Sequence, residues 1–140
     1  MLKKLIKLCL PLMCCMALAL VFSQIPGNCY ALDIEIDVSP NVLNIQSEST
    51  VVTVHTDIDY NLVVGASVLL NGVAIDWWKA DDRGNFVAKF MSDEIKSLDG
   101  LIVDDYNTLV LIGHTTDGEE FFGSQDIMVI NNIPKCGGAK

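Results

Sequence analysis

Six aspartates in this chain have the residue type and spacing to hold a hard cation. Asp57-Ile58-Asp59-Tyr60-Asn61 places oxygen ligands at alternate positions, as the start of a calcium loop does. An EF-hand would also need glycine at its sixth position and glutamate at its twelfth, where this chain has Leu62 and Val68, so that motif is excluded. A looser Ca²⁺ cluster would join Asp57, Asp59, Asp81, Asp82, Asp104 and Asp105 at one end of the fold; the alternative is ordinary solvated turns. His55 and His114 would bind a transition metal only if they faced each other on neighbouring strands, and no third ligand stands at a defined spacing.

Nucleophilic and acid–base chemistry is poorly served. No serine lies in a GxSxG context, and no glycine-rich phosphate loop is present. The carboxylates sit in polar surroundings that would not drive their pKa values apart. The reading is therefore that the chain is not an enzyme and needs no cofactor. Four aromatics, Trp77, Trp78, Tyr60 and Tyr106, are the candidate contact residues. Adjacent residues on a strand point to opposite faces, so one of the two tryptophans should be core and the other exposed or at a rim.

These groups must be positioned by an extracytoplasmic domain, because the N-terminus reads as an export signal. Lys3, Lys4 and Lys7 precede an apolar run from Leu8 to Phe22, a breaker-rich stretch follows, and Cys29-Tyr30-Ala31 ends it with small residues. Cleavage is expected between Ala31 and Leu32. The apolar run falls short of the roughly 20 residues a membrane-spanning helix needs.

Of the chain's 9 basic residues, cleavage would remove three and no acid, leaving 6 basic and 18 acidic, a net charge of −12. Such a surface repels nucleic acid and anionic headgroups and favours basic partners. Of the five cysteines only Cys136 would remain, so no internal disulfide forms. An intermolecular one through Cys136 is the alternative to a free thiol. The expected organisation is a signal peptide over 1–31, a β-sandwich over 32–131 and a flexible tail over 132–140.

Period-two apolar alternation dominates the remainder. Asp33-Ile34-Glu35-Ile36-Asp37-Val38 predicts a strand with Ile34, Ile36 and Val38 on one face. Further strands are expected at 42–45, 50–56, 66–70, 73–75, 85–91, 107–114, 119–122 and 125–130, with a loop at 57–61. Asn71-Gly72, Asp81-Asp82-Arg83-Gly84-Asn85 and Asp117-Gly118 are turn signals. Ser92 to Leu98 is the one helical candidate, with Ser92 as its N-cap and Gly100 beyond its end. Seven to nine short strands in about 100 residues, with turn signals every 8–12, predict an all-β, immunoglobulin-like antiparallel sandwich.

Several stretches, in order, resemble a group of immunoglobulin-like modules of secreted bacterial and archaeal proteins. They are Ser39-Pro40-Asn41-Val42-Leu43-Asn44-Ile45-Gln46-Ser47, Thr53-Val54-His55-Thr56, Val68-Leu69-Leu70-Asn71-Gly72-Val73, Asp81 to Phe90, and Thr116 to Ile127. The resemblance implies an extracellular β-sandwich without intrinsic activity, of the accessory kind. The expectation is a secreted, extracellular or periplasmic interaction module that binds a protein partner or cell-surface component. The alternatives are a glycan-binding module, calcium-assisted or not, and a secreted inhibitor or surface-assembly subunit.

Overall fold

In the computed structural model, which describes residues 31–133, two β-sheets pack face to face. The expected signal segment before Ala31, and Cys136 with the rest of the tail from Pro134, lie outside the described residues. The strands are β1 (Leu32–Asp33), β2 (Ile36–Ser39), β3 (Val42–Asn44), β4 (Val51–Asp59), β5 (Leu69–Leu70), β6 (Val73–Ala74), β7 (Trp77–Ala80), β8 (Asn85–Met91), β9 (Asp105–His114) and β10 (Glu120–Ile130). A short helix, α1 (Ser92–Lys96), follows β8. The four-stranded sheet runs β2-β4-β8-β7. The six-stranded sheet runs β1-β10-β9-β5-β6, with β3 also beside β10. The expected all-β sandwich is what forms.

The alternation seen in the sequence produces the core directly. On β4, Val52, Val54, Thr56 and Ile58 point inward, and on β8 Phe86, Ala88 and Phe90 do so. From the other sheet come Leu70, Leu109, Leu111, Phe121, Ile127 and Val129. Each such large side chain contributes about 1.5–3 kcal/mol by leaving water. The one polar side chain among the inward residues of β4 is satisfied, because the Thr56 hydroxyl donates to the Phe86 carbonyl at 2.6 Å.

The turn signals hold. Asn71 (φ 48°) and Gly72 (φ 84°) both adopt positive φ between β5 and β6, as a type I′ hairpin requires. Asn71 does more than turn. Its Oδ1 accepts from the Val110 N–H at 2.7 Å and its Nδ2 donates to the Thr108 carbonyl, which ties the hairpin to β9. Asp81 Oδ1 accepts from the N–H groups of Arg83 (2.8 Å) and Asn85 (2.9 Å), closing the β7–β8 turn.

Several expectations need correction. The run from Asp33 to Val38 is two strands rather than one. Leu32–Asp33 pairs parallel to Phe121–Phe122, and the chain then crosses at Ile34-Glu35, so that Ile36–Ser39 pairs with β4 in the other sheet. Gln125 bridges this crossing: its Oε1 accepts the N–H of Val38, which faces away from β4. The supposed loop at 57–61 is the end of β4, because Ile58 still points into the core; only Tyr60–Leu62 leaves the strand, as a 3₁₀ turn. Residues 65–67 are likewise a 3₁₀ turn, leaving β5 with Leu69 and Leu70 alone.

The last two expected strands are one. β10 runs unbroken through Gly123-Ser124, and Gly123 lies against Ile34 and Ile36 at the crossing, where a side chain would not fit. Ser92 is not the N-cap of α1. Met91 holds that place, and Ser92 is buried in the first turn, its Oγ without a hydrogen-bond partner among the described residues. Asn132 is not free tail either, since its N–H and carbonyl both bond the Asn44 side chain.

Candidate functional site

The outer face of the four-stranded sheet carries Trp77, Lys79 and Lys89. Across β7, β8 and β4, Trp77 stands opposite Lys89, and Lys89 opposite Thr53; in the next row Lys79 stands opposite Val87, and Val87 opposite His55. The Lys89 ammonium lies 4.5 Å from the centre of the Trp77 ring, within cation–π range. Trp78 points the other way, as strand alternation demands, yet it is not core. β7 is an edge strand, so Trp78, 37 % exposed, seals the open side of the sandwich. Its ring occupies the space above Gly65, where a Cβ would fall 2.2 Å from the ring.

The two tryptophans should therefore differ in stability and not only in contacts. Trp78→Ala is expected to lower unfolding free energy by about 2 kcal/mol, less than a fully buried tryptophan because a third of it faces water. Trp77→Ala should cost under about 1 kcal/mol. Urea denaturation of both variants checks this, and equal losses would refute the edge-sealing role of Trp78.

Beside this face a shallow groove of about 510 Å³ is lined by Glu35, Asp37, His55, Asp57, Asp81 and Arg83, with neighbours. The Asp81 carboxyl is held below the usual aspartate range. The N–H of Asn85 is the main cause, partial desolvation opposes it, and the N–H and guanidinium of Arg83 and the His55 imidazole add to it. A lowered folded-state pKa makes the turn's contribution to stability present above the ordinary aspartate pKa and lost as pH falls through the lower folded value.

The six aspartates of the looser cation cluster are not brought together. Asp57, Asp59, Asp81 and Asp82 lie at the end where Asp59 pairs with Asn85. Asp104 and Asp105 lie at the far end, beside Val129. Among the described residues no three His, Cys, Asp or Glu side chains stand close enough to share a metal. His55 is on the outer face of one sheet and His114 at the end of β9 in the other, so they do not face each other. The four aromatics also fail to form one platform. Tyr60 packs on Phe86 at 6.2 Å at the Asp59 end, whereas Tyr106, 63 % exposed, opens β9 at the opposite end.

The surface that sequence reasoning missed is the outer face of the six-stranded sheet. Leu69, Ile112 and Phe122 stand side by side across β5, β9 and β10. Val110 continues the strip along β9, and beyond it Tyr106 stands opposite Met128, which pairs with Val42 on β3. All are outward and partly or largely exposed, and the helix α1 packs on β8 and β4 instead. The signal was present in Leu109-Val110-Leu111-Ile112: a strand apolar at successive positions offers both of its faces for burial.

No described helix is long and apolar enough to cross a membrane. No protein-family model, curated protein or solved structure matches the chain.

Proposed function

We propose that the chain is a secreted, non-catalytic, immunoglobulin-like interaction module that binds a protein partner through the outer face of its six-stranded sheet. The immunoglobulin-like reading is supported by strand order. β2-β4-β8-β7 against β10-β9-β5-β6 corresponds to A-B-E-D against G-F-C-C′. Export is supported by the basic, apolar and small-residue succession up to Ala31.

One observation carries the binding reading: an apolar strip on a rigid, hydrogen-bonded sheet that no described element covers. Exposed strips of this kind mark interaction surfaces. A photo-crosslinking residue placed at Ile112 should give a protein adduct in the cells or medium where the chain is made, and the same residue at Thr53 on the other sheet should give none. N-terminal sequencing of the adduct should begin at Leu32. Absence of any protein adduct from Ile112 would end this reading.

A second reading is favoured by Trp77, which is 44 % exposed on a flat sheet face with Lys79 and Lys89 near it. That arrangement suits a sugar ring that displaces the Lys89 ammonium and stacks on the indole. Tryptophan fluorescence that shifts on adding oligosaccharide, and loses the shift in Trp77→Ala, would select it.

A further inference from the structure

The four described cations are distributed unevenly. Lys79, Arg83 and Lys89 all belong to the β7–β8 hairpin of the four-stranded sheet, and Lys96 lies in α1, its ammonium donating to the Ser47 carbonyl. No lysine or arginine occurs in β1, β3, β5, β6, β9 or β10, or in the turn joining β9 to β10.

The six-stranded face carries acids in its outward positions instead. Asp33 stands beside Phe122, and Glu120 lies one outward position along β10 from it. Asp126 lies between Ser124 and Met128 on the outward side, and its carboxylate is fixed by the Thr108 hydroxyl at 2.6 Å. The apolar strip is thus bordered on its β10 side by carboxylates with no lysine or arginine beside them among the described residues; His114 stands opposite Glu120.

This arrangement limits what can cover the strip. A second copy meeting face to face would bring two sets of carboxylates together, and like charges across an interface oppose binding. A second copy offering its four-stranded face would present Lys79 and Lys89, but with Asp37, Asp57, Asp81 and Asp82 close by, so the match is poor. A partner whose apolar contact is flanked by lysine or arginine fits both features at once. Its apolar side chains would cover Leu69, Ile112 and Phe122, and its cations would meet Asp33, Glu120 and Asp126.

We infer that the outer face of the six-stranded sheet is built for a basic protein segment with an apolar centre, and not for self-association. This rests on the interaction-module reading above and adds the chemistry of the partner.

The test is selection from a display library of random peptides on the full chain. Three variants run alongside: Ile112→Glu, the charge reversal Asp33→Lys with Asp126→Lys, and Trp77→Ala. Circular dichroism first shows that each keeps its strand signature. The enriched peptides should have apolar residues flanked by Lys or Arg. Their affinity should fall about tenfold in Ile112→Glu and on raising salt, and stay unchanged in Trp77→Ala. The charge reversal should select acidic peptides and remains informative if Ile112→Glu fails to fold.

Enrichment of uncharged or acidic peptides on the wild-type chain would overturn the inference while leaving the module reading intact. So would binding lost in Trp77→Ala but kept in Ile112→Glu, or a dimer in sedimentation that Ile112→Glu dissolves. No enrichment on any form, together with no adduct from Ile112, would overturn both.

Discussion

Phe86→Ala is expected to remove about 3–5 kcal/mol of folding free energy, a large part of what a domain of this size holds. Phe86 is fully buried at the start of β8, it stacks behind Tyr60, and its carbonyl is the acceptor for the buried Thr56 hydroxyl. Truncation leaves a cavity between the sheets and frees Tyr60, which holds the 3₁₀ turn after β4 against that end of the core. The described residues contain no cysteine, so no disulfide among them offsets the loss. Equilibrium urea unfolding should show a midpoint far below wild type with an unchanged slope, and a fall in melting temperature of more than about 10 °C. A shift within about 1 kcal/mol would mean that the sheets close over the gap, and that the interior is looser than the close packing around Phe86 implies.

Phe86 also marks what the sequence made legible. Phe86, Ala88 and Phe90 alternate with Val87 and Lys89, and period two was enough to place them inward. The three turns were legible for the same local reason, since Asn-Gly, Asp-Arg-Gly and Asp-Gly announce positive φ within a few residues. Long-range partners are not written locally. Asp33 to Val38 alternates without a break, yet its first half belongs to one sheet and its second to the other. Only the distant Phe121, Phe122 and Thr56 determine where the crossing falls.

The candidate surfaces show the same limit. That the two tryptophans face opposite ways followed from their place on a strand, but which of them faces out did not, and the half-buried state of Trp78 depends on β7 being an edge and on Gly65, thirteen residues earlier in the chain. The carboxylates read as one cluster proved to lie at two ends, because adjacency in composition says nothing about which end of a sandwich a turn occupies. The apolar outer strip went unnoticed since each of its residues also reads as core; only the pairing of Ile112 with both Leu69 and Phe122 makes it continuous.

Gly123 ties the crossing strand to the proposed binding face, and its replacement is the sharpest test of that link. A Cβ at this position would lie 2.7 Å from the Ile34 carbonyl oxygen and 2.7 Å from Cγ2 of Ile36. The first of these is backbone, held by the Ile34 N–H bond to the Phe122 carbonyl at 2.9 Å, so the clash cannot be relieved by turning a side chain. Gly123→Val must push β1 off β10 or bend β10 itself, at an expected cost of about 3 kcal/mol. The damage should be local before it is global. In hydrogen exchange the Ile34 amide should lose protection, while amides in the centre of β8 follow only the global loss of stability. Because β1 carries Asp33 alongside Phe122, displacing it also removes one carboxylate from the apolar strip. Basic peptides selected on the wild-type chain should then bind Gly123→Val more weakly than the loss of folded protein alone explains. Wild-type protection of Ile34 in the variant would show that β1 does not depend on the bare backbone at Gly123. The crossing would then keep its Ile34–Phe122 bond, backed by the two Glu35–Asp57 bonds, the Val38–Gln125 bond and the β2–β4 ladder.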